Sequence, residues 1–129
     1  MDHRPSAGSG EAPRRTVREE DRELIPAGVN RLFRYLVHTD LGCRQITQFV
    51  GFIPTSKAIP HTHTYEEGIF ILSGRGIVHV ESEACAFEPG WSIYFPVGVR
   101  HCVENPEAAP IRLLGVFYPS GSPGAAYED

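Results

Sequence analysis

The 129-residue chain is expected to fold as an all-β protein, an antiparallel barrel or sandwich. Three observations carry that expectation. From Gly28 onward, short apolar runs rich in Val, Ile, Phe and Tyr alternate with turns containing Gly and Pro. The composition sets 13 Gly and 11 Pro against a single Met, which favours many turns over long helices. After residue 30 no stretch carries the apolar period of a helix of ordinary length.

The elements follow in chain order. Residues 1–22 are polar, charged and rich in Gly, Ser and Pro, and are expected to form a flexible arm. Within them REEDRELI offers at most a short helical turn. Residues 23–129 are expected to form one barrel domain, since a chain of this length supports one core. Its apolar runs are NRLFRYLVHT, CRQITQFVGFI, GIFIL, GIVHVES, WSIYF and IRLLGVFY, each of a strand's length. Turn signals separate them at Asp40-Leu41-Gly42, Ser73-Gly74-Arg75-Gly76, Glu88-Pro89-Gly90 and Pro96-Val97-Gly98. Gly74 and Gly76 are expected to flank a hairpin turn that needs positive φ. The tail PSGSPGAAYED reads as loop.

Charge and cysteine content exclude several classes. A net charge of −4 and a pI near 5.8 provide no basic stripe, so no nucleic-acid partner is expected. No apolar run of about 18 residues exists, so no membrane partner is expected. The start MDHRPSAGSGEAPRR lacks the apolar core of a secretory signal. Cys43, Cys85 and Cys102 form an odd set without CxxC spacing, which is the usage of reduced thiols in a cytoplasmic protein.

The histidines carry the chemistry. In a strand, residues i and i+2 share a face, so His61 and His63 would point the same way, with Glu67 at the same parity. His101 lies far along the chain, directly after the turn at Pro96–Gly98. From His61 the chain reads HTHTYEEGIFILSG, and from Gly90 it reads GWSIYFPVGVRHCVEN. In order, these are H-x-H-x3-E-x6-G and G-x5-P-x-G-x2-H-x3-N.

The two segments resemble the signature motifs of the cupin superfamily. Nine of ten fixed positions match; Thr55 stands where the family has the opening Gly. That departure touches a turn before the strand, where Pro54 already supplies a bend, and no ligand. The resemblance implies a cupin-type antiparallel β-barrel, the double-stranded β-helix or jelly roll. It also implies that His61, His63, Glu67 and His101 meet around one divalent transition metal. Three imidazoles and a carboxylate suit Fe, Mn, Ni, Zn, Co or Cu and do not choose among them. Glu66 competes with Glu67, but spacing and parity favour Glu67 and leave Glu66 a solvated strand-end charge. Cys102 should face away from the site into the core, and His79 reads as a half-buried or surface strand residue. Asn105 is structural in the family.

A metal in a small barrel leaves room for a ligand lined by inward-facing residues. The candidate pocket residues are Gln45, Gln48, Tyr65, Tyr94, Arg100 and Phe117. Phe49, Ile69 and Ile71 are further candidates. Gln45 and Gln48 cannot both face inward on a regular strand, and Arg100 at the rim could meet an anionic substrate. The resemblance implies a metal-dependent enzyme acting on a small organic molecule, of oxygenase, isomerase or cyclase type. The alternative is a non-catalytic cupin that binds or senses a small molecule. A homodimer is expected, both from the family and from an exposed apolar edge at LFRYLV.

Overall fold

A computed structural model describes residues 15–28, 30–57 and 59–123. These form nine strands: β1 (Ile25–Pro26), β2 (Leu32–Tyr35), β3 (Thr47–Ile53), β4 (Glu66–Ser73), β5 (Gly76–Val80), β6 (Glu83–Phe87), β7 (Ser92–Phe95), β8 (His101–Glu104) and β9 (Ile111–Tyr118). Two antiparallel sheets result, one with the order β1-β2-β3-β9-β4-β7 and one with the order β6-β5-β8. This is the expected jelly roll.

The period-2 pattern decides which face each strand buries. On β9, Ile111, Leu113, Gly115 and Phe117 are buried, while Arg112, Leu114 and Val116 are partly exposed. On β3 the inward set is Thr47, Phe49, Gly51 and Ile53. Phe49 pairs with Gly115 across the ladder, and its ring occupies the space a side chain at Gly115 would need. The core between the sheets is built from Phe33, Phe49, Phe95, Phe117, Ile71 and Ile111, with others around them.

The turn Ser73–Gly76 corrects the expectation of a hairpin. β4 belongs to the six-stranded sheet and β5 to the three-stranded one, so this segment is a step between sheets. Gly74 has φ +88°, the left-handed conformation that favours glycine. Gly76 serves a different need. A Cβ there would lie 2.6 Å from the Glu104 carbonyl oxygen and 2.7 Å from the Phe87 ring. β1 and β6 were absent from the apolar runs, because β1 has two residues and β6 is exposed until Phe87.

Residues 15–22, the described part of the expected arm, are tied to the barrel. Arg22 donates to Asp40 at 2.5 Å and to the Leu36 carbonyl at 2.7 Å, and Glu19 pairs with Arg34 and Arg112. Residues 1–14 of the arm and 124–129 of the tail lie outside the described residues. Cys43, Cys85 and Cys102 are free thiols, and Cys102 is buried. Among the described residues no helix is long and apolar enough to cross a membrane.

Candidate metal centre

Three backbone features bring the histidines together. His61 and His101 form an isolated antiparallel bridge, each N–H donating to the other's carbonyl at 2.9 Å. The Gly98 N–H donates to the His63 carbonyl at 3.0 Å, which pins the turn before β8 onto the loop before β4. Gly98 has φ +77°, so the turn at Pro96–Gly98 uses its glycine as the sequence required. β4 then places Glu67 between Phe95 and Phe117 of the neighbouring strands.

The imidazoles are oriented by the chain itself. His61 Nδ1 faces the Ile59 carbonyl at 3.2 Å, His63 Nδ1 the Tyr65 carbonyl at 2.9 Å, and His101 Nδ1 the Val99 carbonyl at 2.8 Å. A carbonyl only accepts, so each Nδ1 carries a proton and each ring turns its Nε2 away from the backbone. Flat stacking fixes two of the ring planes. Tyr65 lies over His63 at 4.1 Å and 11°, and Phe95 over His101 at 4.0 Å and 14°.

The result is a cluster of acceptors. The ligand atoms of His61, His63 and His101 lie within 4.8 Å of one another. Glu67 Oε1 lies 3.0 Å from His63 Nε2 and 3.9 Å from His101 Nε2. The buried His101 Nε2 has no hydrogen-bond partner. Burial depresses His101 to about 4, with the neighbouring His61 and His63 adding to the effect of desolvation over the opposing Val99 hydrogen bond. Burial likewise lowers His61 and pushes Glu67 up. A neutral His63 and an ionised Glu67 would set two lone pairs against each other, so a proton or a cation must lie between them. The donor set fits a divalent transition metal.

The cavity beside this cluster has a volume of about 80 Å³ and mostly apolar walls. Tyr65 and Phe117 line it, as do Phe49 and Ile69, whereas Ile71 is fully buried core outside the lining. Four expected pocket residues are corrected. Gln45 precedes β3 and is exposed, and Gln48 has the opposite parity to Phe49, so neither lines the cavity. Tyr94 is 58% exposed on the outer face, where its hydroxyl donates to Glu66 at 2.6 Å. Arg100 is exposed and has the opposite parity to the inward His101. Inward-facing Phe95 takes the place given to Tyr94, one residue away. Arg31, just before β2, and Phe33 on it also line the cavity.

Flanking residues behave structurally. Asn105, 1% exposed, donates to the Ile53 and Ala109 carbonyls at 2.9 Å and accepts from the Glu107 N–H at 2.9 Å. Thr55, in place of the family's Gly, donates through its hydroxyl to the Glu107 carbonyl. His79 sits on β5 and bonds to Glu104 at 2.9 Å, away from the cluster.

The family model for the cupin domain matches residues 48–117, which contain all four residues of the cluster. The chain belongs to the cupin family. An uncharacterised protein of Methanocaldococcus jannaschii is 37% identical to this cupin over 92 residues, covering 68% of this chain and 73% of that protein. Among solved structures, ectoine synthase from P. lautus superposes with a TM-score of 0.74 at 16% identity, covering 85% of this cupin and 81% of the synthase. The polyketide cyclase RemF from Streptomyces resistomycificus superposes with a TM-score of 0.71 at 19% identity, covering 89% of this cupin and 91% of the cyclase. At these identities the two structures establish likeness of fold.

Proposed function

We propose that this cupin is a metal-dependent enzyme acting on a small organic molecule, with His61, His63, His101 and Glu67 as the ligands of one divalent ion. The observation that carries this reading is the convergence of four acceptor groups at the wall of an apolar cavity, one of them an unsatisfied buried nitrogen. Each imidazole already has its Nδ1 proton engaged, so the cluster is prepared for a cation without rearranging its tautomers. A bound ion would supply Lewis acidity and, for a redox-active metal, electron-transfer chemistry. Phe33, Phe49 and Phe117 keep bulk water from the site and receive the apolar part of a substrate. That proteins named as a cyclase and a synthase share the fold supports the enzymatic reading over a purely binding role.

Size narrows the substrate. At about 10–15 Å³ for each water-sized body, the 80 Å³ cavity holds roughly six of them. Small acids, ketones and single rings fit this volume. The test is to reconstitute the metal-free protein separately with Fe(II) and Zn(II), then follow substrate loss and O2 uptake over catechols, β-diketones and small keto acids. Turnover that requires Fe(II) and consumes O2 selects an oxygenase. Turnover with Zn(II) under nitrogen selects an isomerase or cyclase. Binding without turnover for every metal selects the sensing protein.

A further inference from the structure

The end of the barrel that carries the cluster is crossed by a segment from beyond β9. β9 lies between β3 and β4, and its Phe117 pairs with Thr47 on one side and with Glu67 on the other. Residues 120–123 span this end from the start of β3 to the approach of β4. Ser120 Oγ lies 2.6 Å from Thr47 Oγ1, and the Gly121 N–H donates to the same oxygen at 3.2 Å. The Tyr65 hydroxyl donates to the Ser122 carbonyl at 2.8 Å. Gly121 passes against the Tyr65 ring, where a Cβ would lie 2.9 Å from it. Pro123 then lines the cavity together with His63, His101 and Phe117. Thr47 itself is 0% exposed, so an inward position of the core carries a hydroxyl turned to this segment.

We infer that residues 120–123 form a strap over the cavity, latched by Thr47 and Tyr65, which must swing aside for a ligand to enter or leave. This rests on the reading of the cavity as a substrate site, and it adds the device that controls entry. What holds the strap is suited to release. Its four residues are only partly buried, and none belongs to a strand, so opening breaks no ladder. The latch consists of hydrogen bonds whose groups water can satisfy once the strap departs. At a factor of roughly 2–12 for each bond, these three favour the closed state by about tenfold to about two-thousandfold. The cavity is then shut for most of the time, yet the open state is visited without unfolding the barrel. Tyr65 ties the latch to the cluster. Its ring lies flat over His63 at 4.1 Å, and its carbonyl accepts from His63 Nδ1.

Access is read in two ways on the full chain. In the metal-free protein, modification of His63 and His101 by diethyl pyrocarbonate is followed residue by residue with mass spectrometry. In the zinc-loaded protein, zinc transfer to a chromophoric chelator is followed by absorbance. Ser120→Ala combined with Gly121→Val removes a latch hydroxyl and sets a side chain against the Tyr65 ring, with no substitution inside the barrel. We expect both rates to rise at least about threefold, with amide exchange in β4 and β5 unchanged. The opposing variant is Thr47→Cys combined with Ser120→Cys, whose side chains lie within reach of a disulfide. It is made with Cys43→Ser, so that the native thiol four positions away does not compete. Oxidation should slow both rates at least about threefold relative to the same chain reduced. A smaller change on unlatching or on locking overturns the inference. So does unlatching that speeds exchange in β4 and β5 equally, because the whole barrel would then be opening. If the disulfide does not form, Tyr65→Phe decides. Without the hydroxyl that holds Ser122, modification of His101 should quicken at least about threefold, and an unchanged rate overturns the inference. A protein that takes up no zinc refutes the metal reading alone, and the histidine rates still decide the strap.

Discussion

The four residues of the cluster differ in what they cost the fold without a cation. His61 and His101 are depressed by burial and Glu67 is raised, so neutral imidazoles and a buried carboxyl face one another. A cation offsets the desolvation of Glu67 and satisfies His101 Nε2 at once. Chelation should therefore lower the melting temperature by on the order of 10 °C, and metal return should restore it. His101→Ala should weaken metal affinity by roughly 100-fold or more, with near-native circular dichroism. Unchanged melting together with no metal by elemental analysis would refute both. The pH dependence of the metal-free protein is a separate check. His101 has a folded value of about 4 against 6.5, so the unfolded chain takes up more protons in that interval. The stability its neutral form contributes is fully present above 6.5 and is lost as pH falls to about 4. Glu67 acts in the opposite direction, because its raised value favours the protonated folded state at lower pH. Glu67→Gln removes that compensation, so its metal-free melting temperature should fall more steeply with acid than that of the wild type.

At the scale of elements, legibility followed the local rules. The i, i+2 placement of His61 and His63, the positive-φ glycine in the turn before His101 and the burial of Cys102 all depend on near neighbours in sequence. Positions set by registry between distant strands were not legible. Gln48 and Tyr94 were assigned inward because strand boundaries, and hence parity, are poorly marked in apolar runs. Arg31 carries no local signal, since Val103, one of its partners, is 72 positions away. Gly76 illustrates the same division: the sequence reads it as a hairpin residue needing positive φ, whereas close packing between β5, β6 and β8 requires it. Gly76→Ala should cost about 2 kcal/mol or more, because two of the atoms it meets are a backbone oxygen and a packed ring. A shift of the denaturant midpoint at constant slope would measure this. A cost of a few tenths of a kcal/mol would show that the β5–β8 spacing yields easily.

At the scale of the whole molecule, the outer face of the six-stranded sheet is exposed on its β4 and β7 side, whereas towards β3 Val50 is 2% exposed and Glu19 pairs with Arg34 and Arg112. In the apolar run LFRYLV, β1 pairs with Leu32 and Phe33 only, so the expected edge is covered at its start alone. The exposed apolar surface lies instead on β4, β7 and β9. Phe70 and Leu72 are 41% and 36% exposed, Tyr94 58% and Tyr118 53%. Phe70 pairs with Leu114, and Gly68 pairs with both Tyr94 and Val116, so these side chains share one continuous face. Gly68 has open space above it, which leaves a shallow hollow between aromatic rims. A patch of this kind is self-complementary under a two-fold axis, since the rim of one copy can enter the hollow of the other. We propose that two copies of the chain pack through this face, with the two cavities remaining separate. Sedimentation at micromolar concentration should give twice the 14.3 kDa chain mass. Phe70→Glu combined with Tyr118→Glu should yield a monomer that keeps its metal, because neither residue lines the cavity. A wild-type monomer, or a dimer that persists in the double variant, would place the contact elsewhere or abolish it.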